Sequence, residues 1–114
     1  MEWTIEYYSE AVEECVIGMP SGIKASYAAI VRRMEQSGPS LGMPLVKPMG
    51  DGLFEIRAKG LEGQGRVFYC TLQGKTIIIL HGFIKKTQTT PKRELDIARR
   101  RAKEVKNERA RKSH

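Results

Sequence analysis

The chain has 114 residues, of which 40% are hydrophobic and 29% charged, and its formal net charge is +7. This length suits one compact domain, because two hydrophobic cores would leave each half too small to bury enough surface without disulfides or a metal. Two separated cysteines exclude a disulfide-rich secreted scaffold and favour a reduced cytoplasmic protein, and every apolar run is far shorter than the roughly 20 residues of a membrane-spanning helix.

The first third of the chain predicts one strand and two helices. Residues 2–8 alternate apolar and polar side chains with a period of two, which indicates a half-buried strand. Ser9 is a typical N-cap residue with acidic residues after it, so a short helix follows and ends near Gly18. A second helix begins near Pro20 and continues to about Gln36. Its core-facing stripe consists of Ile23, Tyr27, Ile30 and Met34.

The middle of the chain predicts a loop followed by three strands. Glycine and proline recur from Gly38 to Gly52 too often for a helix or a strand, and a loop of this length is often functional. From Leu53 onward the pattern becomes that of strands separated by glycine-containing turns. The three segments LFEIRA, RVFYCTL and TIIILHGFI predict consecutive antiparallel strands.

A basic helix is predicted at the end of the chain. Thr90 is its expected N-cap residue and Pro91 its first residue, and apolar side chains repeat along one side as far as Val105. We expect residues 1–105 to form a single domain and residues 106–114 to be a frayed basic tail, because the tail lacks apolar anchors. The element order predicts an α+β fold in which helices cover a small antiparallel sheet.

Positive charge is concentrated at the C-terminal end. Residues 85–114 hold 12 of the 20 lysines and arginines but only 4 of the 13 acidic residues, so this segment carries +8 and the rest of the chain −1. Such polarity favours a polyanionic partner, and nucleic acid is a commoner one than a membrane surface. Arg93 and Arg100 are candidate RNA contacts, although a solvated helix face or a surface for an acidic protein explains them equally well.

Two arginines face each other in the first predicted hairpin. If its loop closes symmetrically, Arg57 lies opposite Arg66, and like charges directly across a strand pair are destabilising unless something neutralises them. A phosphate would neutralise them. The alternative is a pair of solvated charges that contact Glu55 and Glu62, and a one-residue slip in register would put the arginines on opposite faces.

The last predicted strand ends in further cations. Lys85 and Lys86 leave this strand as the chain turns, while Lys59 lies near Arg57 on a neighbouring strand. A cluster of cations can stabilise the charge that develops on a phosphate during phosphodiester cleavage. The sequence therefore predicts a cationic catalytic site. The scattered histidines and cysteines lack the spacing of metal ligands, so we expect neither a metal nor another cofactor.

Three further side chains are candidates for proton transfer or base stacking. His81 can act as a general acid or base, although its place in an apolar strand favours a buried histidine bonded to a neighbour. Tyr69 and Phe83 can stack on RNA bases, and core packing is an equally good explanation for both.

Four motifs follow one another along the chain. They are residues 52–57 (GLFEIR), residues 65–69 (GRVFY), residues 80–91 (LHGFIKKTQTTP), and a final set made of Glu94, Ala98 and Arg99. In this order and spacing they resemble the phage-derived HigB-like branch of the RelE toxin superfamily, over residues 3–105.

The resemblance implies a RelE-type fold, with a small antiparallel sheet and helices on one side. It implies a toxin that cleaves mRNA in the ribosomal A site without a metal and is neutralised by a cognate HigA-like helix-turn-helix antitoxin. It assigns phosphate orientation and charge stabilisation to Arg57, Arg66, Lys85 and Lys86. Lys59 is a weaker candidate for the same role. The resemblance leaves the general base open among His81, Tyr69 and Lys85.

On this interpretation the chain is a ribosome-dependent endoribonuclease that cuts mRNA by attack of the 2′-hydroxyl and so inhibits translation. It predicts that Arg66→Ala abolishes growth arrest and leaves the fold intact. Two alternatives stay open. One is a non-catalytic module that binds RNA or the ribosome, and the other is an inactive phage remnant that only forms a complex with a helix-turn-helix antitoxin.

Overall fold

The computed structural model describes residues 2–112 as a five-stranded sheet with helices on both faces. The strand order is β1-β5-β4-β3-β2, in which β1 runs parallel to β5 and the other pairs are antiparallel. In chain order the elements are β1 (Thr4–Tyr7), α1 (Glu10–Ile17), α2 (Ser21–Ser37), β2 (Val46–Gly50), β3 (Leu53–Gly60), β4 (Gly63–Leu72), β5 (Thr76–Lys85) and α3 (Lys92–Lys112). The predicted α+β fold is confirmed, with a mixed sheet in place of a purely antiparallel one.

The strand β2 lies within the segment that the sequence predicted to be a loop. It pairs with β3 from Val46 opposite Ile56 to Gly50 opposite Leu53, and it forms the edge of the sheet. Pro48 has no N–H to donate to a neighbouring strand, which is tolerated at an edge. The glycines and proline that hid this strand from pattern analysis are thus compatible with its position.

Two hydrophobic clusters lie on opposite faces of the sheet. On one face, α1 and α2 pack against residues such as Val67 and Tyr69. On the other face, Ala98 and Ala102 of α3 pack against residues such as Phe68. Central strands covered on both sides are buried at successive positions, as in the run from Val67 to Cys70. The helices therefore cover both faces, and the expected one-sided arrangement is wrong.

The helix α3 extends beyond the apolar residues that pack it against the sheet. It packs near Leu53 and Phe68, and its last half-buried apolar residue is Val105, while the helix continues to Lys112. The fraying predicted for residues 106–114 stays a prediction, and residues 113–114 lie outside the described residues. Within residues 2–112, every helix is too short or too polar to cross a bilayer.

The three helices begin in three different ways. The Ser9 hydroxyl accepts the N–H of Val12 at 3.2 Å, so this predicted N-cap is confirmed. The helix α3 begins at Lys92, one residue later than predicted, so Thr90 is not its N-cap, and the Thr90 hydroxyl donates to Oε2 of Glu55 at 2.9 Å. The N-terminus of α2 is capped from a distant part of the chain by Glu62, whose Oε2 accepts the N–H of Gly22 at 2.9 Å.

Glu62 makes a pH-dependent contribution to stability. The hydrogen bond from the Gly22 N–H, together with weaker ones nearby, holds the pKa of Glu62 below its ordinary value of 4.5. A carboxylate whose pKa falls on folding stabilises the fold above its unfolded pKa, and this contribution disappears as the pH drops through the folded pKa. We expect Glu62→Ala to lower the thermal midpoint at pH 7 and to have little effect at pH 3, measured by circular dichroism.

The control for this prediction is Glu14→Ala, which removes an exposed carboxylate from the middle of α1. An equal loss of thermal midpoint for Glu62→Ala at pH 7 and pH 3 would contradict the proposed charge-assisted cap.

Candidate functional site

Four of the predicted cations lie in two rows on the sheet face that carries α3. Arg57 of β3 is directly opposite Arg66 of β4. In the next row, Lys59 is opposite Gln64, and Gln64 is opposite Lys85 of β5. Directly opposed residues of antiparallel strands project to the same face, and the strands are about 4.8 Å apart. The prediction that the two arginines share a face is therefore confirmed.

A concave surface of about 300 Å³ lies at this end of the sheet. Its lining combines the exposed Lys59 and the half-buried Arg57 with residues of α2 and of the segment before β2. The remaining lining residues are Ser26, Pro44, Leu45, Gln64 and Arg66. This volume is at the lower end of the range for small-ligand pockets. The surface can therefore receive a compact anion that meets positive charge from two directions.

Among the four cations of these two rows, which we call the cluster, Arg66 is buried, with 2% of its surface exposed. Its Nη2 donates to Oε1 of Gln64 at 2.6 Å, and its Nη1 donates to the carbonyl oxygen of Gly65 at 3.3 Å. Burial lowers the pKa of Arg66, Glu55 acts in the opposite direction, and Arg57 lowers it further. An arginine remains protonated under these conditions. Arg66 is thus a fixed positive charge in the floor of the surface.

A buried carboxylate accompanies Arg66. Oε1 of Glu55 lies 3.6 Å from Nε of Arg66, which is an ion-pair distance, and the Glu55 side chain is only 2% exposed. Within residues 2–112 this Nε has no hydrogen-bond acceptor. Oε2 of Glu55 accepts the Thr90 hydroxyl, so one carboxylate connects the arginine to the loop between β5 and α3. The sequence indicated Glu55 only as a surface partner, and its other suggested partner, Glu62, caps α2 instead.

Lys85 belongs to the cluster electrostatically. Partial burial lowers its pKa, and the charges of Arg66 and Arg57 lower it further; Glu55 acts in the opposite direction, and Lys47 adds to the lowering. Lys47 lies opposite Glu55 in the pairing of β2 with β3. The sequence analysis did not select Lys47, because it predicted a loop in place of β2. If β2 had been recognised, the alternation of side chains along it would have placed Lys47 on the same face as Glu55.

Lys86 is separate from the cluster. It follows the last residue of β5 and is exposed. The two lysines were predicted as an equivalent pair, but only Lys85 lies in the same row as Gln64 and Lys59.

His81 is held by its neighbours. Its Nε2 lies 2.7 Å from Oε1 of Glu94 in α3, and its ring stacks against Phe68 and Phe83 with centroids 6.5 Å and 6.2 Å away. The preferred interpretation, a histidine bonded to a neighbour, is confirmed. His81 lies opposite Phe68 and on the same face as the arginines, so it borders the site rather than occupying its centre.

The two aromatic candidates occupy opposite faces. Tyr69 is fully buried beneath the helices α1 and α2, where its hydroxyl donates to the carbonyl oxygen of Pro39 at 2.7 Å and burial raises its pKa. This placement removes Tyr69 from the residues that can stack on RNA or act as a base. Phe83 is half-buried directly opposite Arg66, so its ring borders the cationic surface.

The α3 candidates lie apart from the concave surface. Arg93 and Arg100 are exposed, and the lining of that surface draws its residues from α2, the segment before β2, and the strands β3 and β4. The charge of Arg100 acts on Tyr8, close to β1 at the far edge of the sheet. Their role as RNA contacts stays a prediction.

The arrangement favours anion binding. Guanidinium and ammonium groups from three strands converge on one face, and within residues 2–112 the His, Cys, Asp and Glu side chains form no group of three that could hold a metal ion. Fixed donors of this kind can bind a phosphodiester and stabilise additional charge on it.

The chain was compared with protein families and with curated proteins. None of the curated proteins matches this chain. The family model described as phage-derived protein Gp49-like matches residues 16–103, which contain both rows of the cationic surface and all of β2–β5. The chain therefore belongs to the family of phage-derived Gp49-like proteins, a family of the RelE toxin superfamily.

Proposed function

We propose that the chain is the toxin of a type II toxin-antitoxin system, of the HigB-like branch, and that it is an endoribonuclease acting on mRNA at the ribosome. The observation that carries this proposal is the convergence of Arg57, Lys59 and Lys85 beside the buried Arg66 on one face of the sheet. Membership in the Gp49-like family supports it, because that family belongs to a toxin superfamily.

The proposed chemistry is an internal transesterification of RNA. The ribose 2′-oxygen forms a bond to phosphorus as the bond to the 5′-oxygen breaks, which leaves a 2′,3′-cyclic phosphate, or a 3′-phosphate after hydrolysis, and a 5′-hydroxyl. The 2′-hydroxyl loses its proton to a base, and the 5′-oxygen gains one. Cations close to the phosphate stabilise the extra negative charge of the transition state.

The cations differ in the roles they can take. Arg57 and Lys59 reach solvent and can contact phosphate oxygens directly, whereas Arg66 acts from the floor as a fixed charge. Lys85 is a candidate for proton transfer, because it lies opposite Gln64 on the face of the arginines, and partial burial together with the arginine charges lowers its pKa. His81 is a second candidate at the border of the site, where its contact with Glu94 orients the ring.

Two partners follow from this proposal. The exposed cations of α3, including Arg93 and Arg100, would contact ribosomal RNA, where each neutralised phosphate releases counterions and makes binding sensitive to salt. A HigA-like helix-turn-helix antitoxin would neutralise the toxin.

The test is to induce the chain in a bacterial host and to map the 5′ ends of cellular mRNA. The expected result is growth arrest with new ends that begin with a 5′-hydroxyl and occur in phase with codons. Arrest without such ends would contradict the nuclease and favour a non-catalytic module that binds RNA or the ribosome. Harmless expression of a folded protein would favour an inactive remnant.

Lys85 and Lys86 provide a matched pair within this test. Both are lysines next to each other in the chain, but only Lys85 lies within β5, opposite Gln64, whereas Lys86 follows the end of the strand. Removal of a group that takes part in proton transfer typically lowers a rate about 10²–10⁴-fold. We therefore expect Lys85→Ala to lose most cleavage in a purified ribosome assay and Lys86→Ala to retain it. Equal effects of the two substitutions would contradict the assignment of Lys85.

A further inference from the structure

We infer that Gln64 is a substrate-binding residue whose side-chain amide donates a hydrogen bond to an RNA phosphate seated between Lys59 and Lys85. The inference rests on the proposed function and names the part of the site that holds the phosphate. Gln64 was not among the residues that the sequence analysis selected.

The orientation of the Gln64 amide is fixed by its contact with Arg66. A guanidinium group has only donors, so the atom that faces it at 2.6 Å must be the amide oxygen. Because Arg66 is buried and bonded to Gly65 as well, it holds the Gln64 oxygen toward the interior.

The amide nitrogen of Gln64 then has two N–H donors to direct elsewhere. Within residues 2–112 it forms no hydrogen bond, and Gln64 is half-buried in the lining of the concave surface. These N–H groups can donate to a neutral or negatively charged acceptor. The Gln64 side chain can therefore bind a ligand through its amide nitrogen.

The neighbours of Gln64 select an anion as that acceptor. Lys59 is opposite Gln64 on one side and Lys85 on the other, at strand spacings of about 4.8 Å. A group above Gln64 thus lies between two ammonium groups and close to Arg57, which lines the same surface. A phosphodiester satisfies this arrangement because its non-bridging oxygens accept hydrogen bonds and carry the compensating charge.

The experiment measures the affinity of a short fluorescent 2′-O-methyl RNA oligonucleotide by anisotropy. This probe has no free 2′-hydroxyl, so it binds without being cleaved. The variants, made as full chains, are Gln64→Ala, which removes the amide, and Gln64→Glu, which keeps an oxygen for Arg66 but has no N–H. Gln36→Glu is the matched control, because it makes the same change at an exposed position of α2.

We expect Gln64→Ala to weaken binding by about tenfold, as for the loss of a hydrogen bond to a charged group. Gln64→Glu should weaken it further because a carboxylate repels the phosphate. Its thermal midpoint should equal or exceed that of the wild type, because the contact with Arg66 becomes an ion pair. The control Gln36→Glu should bind like the wild type.

Wild-type affinity in Gln64→Ala would overturn the inference, and so would wild-type affinity in Gln64→Glu, which would show that the residue only holds Arg66. These failures are separate from a failure of the proposed function. If Arg57→Ala weakens binding while Gln64→Ala does not, only the inference fails. If the wild type and Arg57→Ala bind the oligonucleotide equally, the surface is not an RNA site and both fail.

Discussion

Replacing Arg57 with alanine is expected to abolish growth arrest and to reduce RNA cleavage by about 10²–10³-fold, the usual effect of removing one donor that stabilises transition-state charge. The substitution should not damage the fold. Arg57 is half-exposed, and within residues 2–112 its side chain makes one polar contact, from Nη1 to Sδ of Met43 at 3.9 Å. It also lies opposite Arg66, where two positive charges repel each other.

The sign of the stability change makes this prediction specific. Removing one of two like charges across a strand pair relieves repulsion, so Arg57→Ala should raise the free energy of unfolding, by up to about 1 kcal/mol. An increase in stability together with a loss of cleavage would show that Arg57 contributes to the activity and not to the stability of the fold. Urea denaturation and a ribosome cleavage assay on the same protein preparation measure the two quantities.

Arg32→Ala is the control for this experiment. Arg32 is an exposed arginine of α2, on the opposite side of the sheet from the cationic rows, and its loss changes the net charge by the same amount. If Arg32→Ala reduces cleavage as much as Arg57→Ala does, a general loss of positive charge explains the effect. Full cleavage by Arg57→Ala would remove this arginine from the site.

Local sequence patterns predicted the parts of this fold that depend on neighbouring residues. The helices α1 and α2 and the strands β3–β5 follow from periodicity and turn residues, and the register of the β3–β4 hairpin follows from symmetric closure of its loop. This is why Arg57 opposite Arg66 was predictable. Periodicity does not reveal which face α3 covers, because that depends on the path of the chain after β5.

The missed features all arise from long-range contacts. Glu55 looks like a surface residue in a strand pattern, and it is buried because it meets Arg66 from β4 and Thr90 from the loop after β5. The sequence pattern places Tyr69 in a strand but does not show which face of the sheet is buried. Its side chain is inaccessible because α1 and α2 cover that face. Lys47 required the edge strand β2, whose proline and glycines conceal its pattern.

The pairing of Arg66 with Glu55 changes what an alanine substitution at Arg66 can show. The sequence predicted that Arg66→Ala would leave the fold intact. Because both side chains are only 2% exposed, removing the arginine leaves a buried carboxylate without its partner. Breaking a buried ion pair in this way typically costs about 3–5 kcal/mol, a large part of the roughly 5–15 kcal/mol that stabilises a domain. We expect urea denaturation to show this loss.

A neutral double variant separates folding from function at this position. In Glu55→Gln/Arg66→Met the amide oxygen can still accept the Thr90 hydroxyl, and no buried charge remains unpaired. Replacing a buried ion pair with neutral groups of similar size is often close to neutral for stability, so the double variant should recover most of the loss. It should nevertheless remain inactive, because the site has lost a fixed charge and the group that orients Gln64. A single variant Arg66→Ala as stable as Arg32→Ala would show instead that Glu55 does not need its arginine.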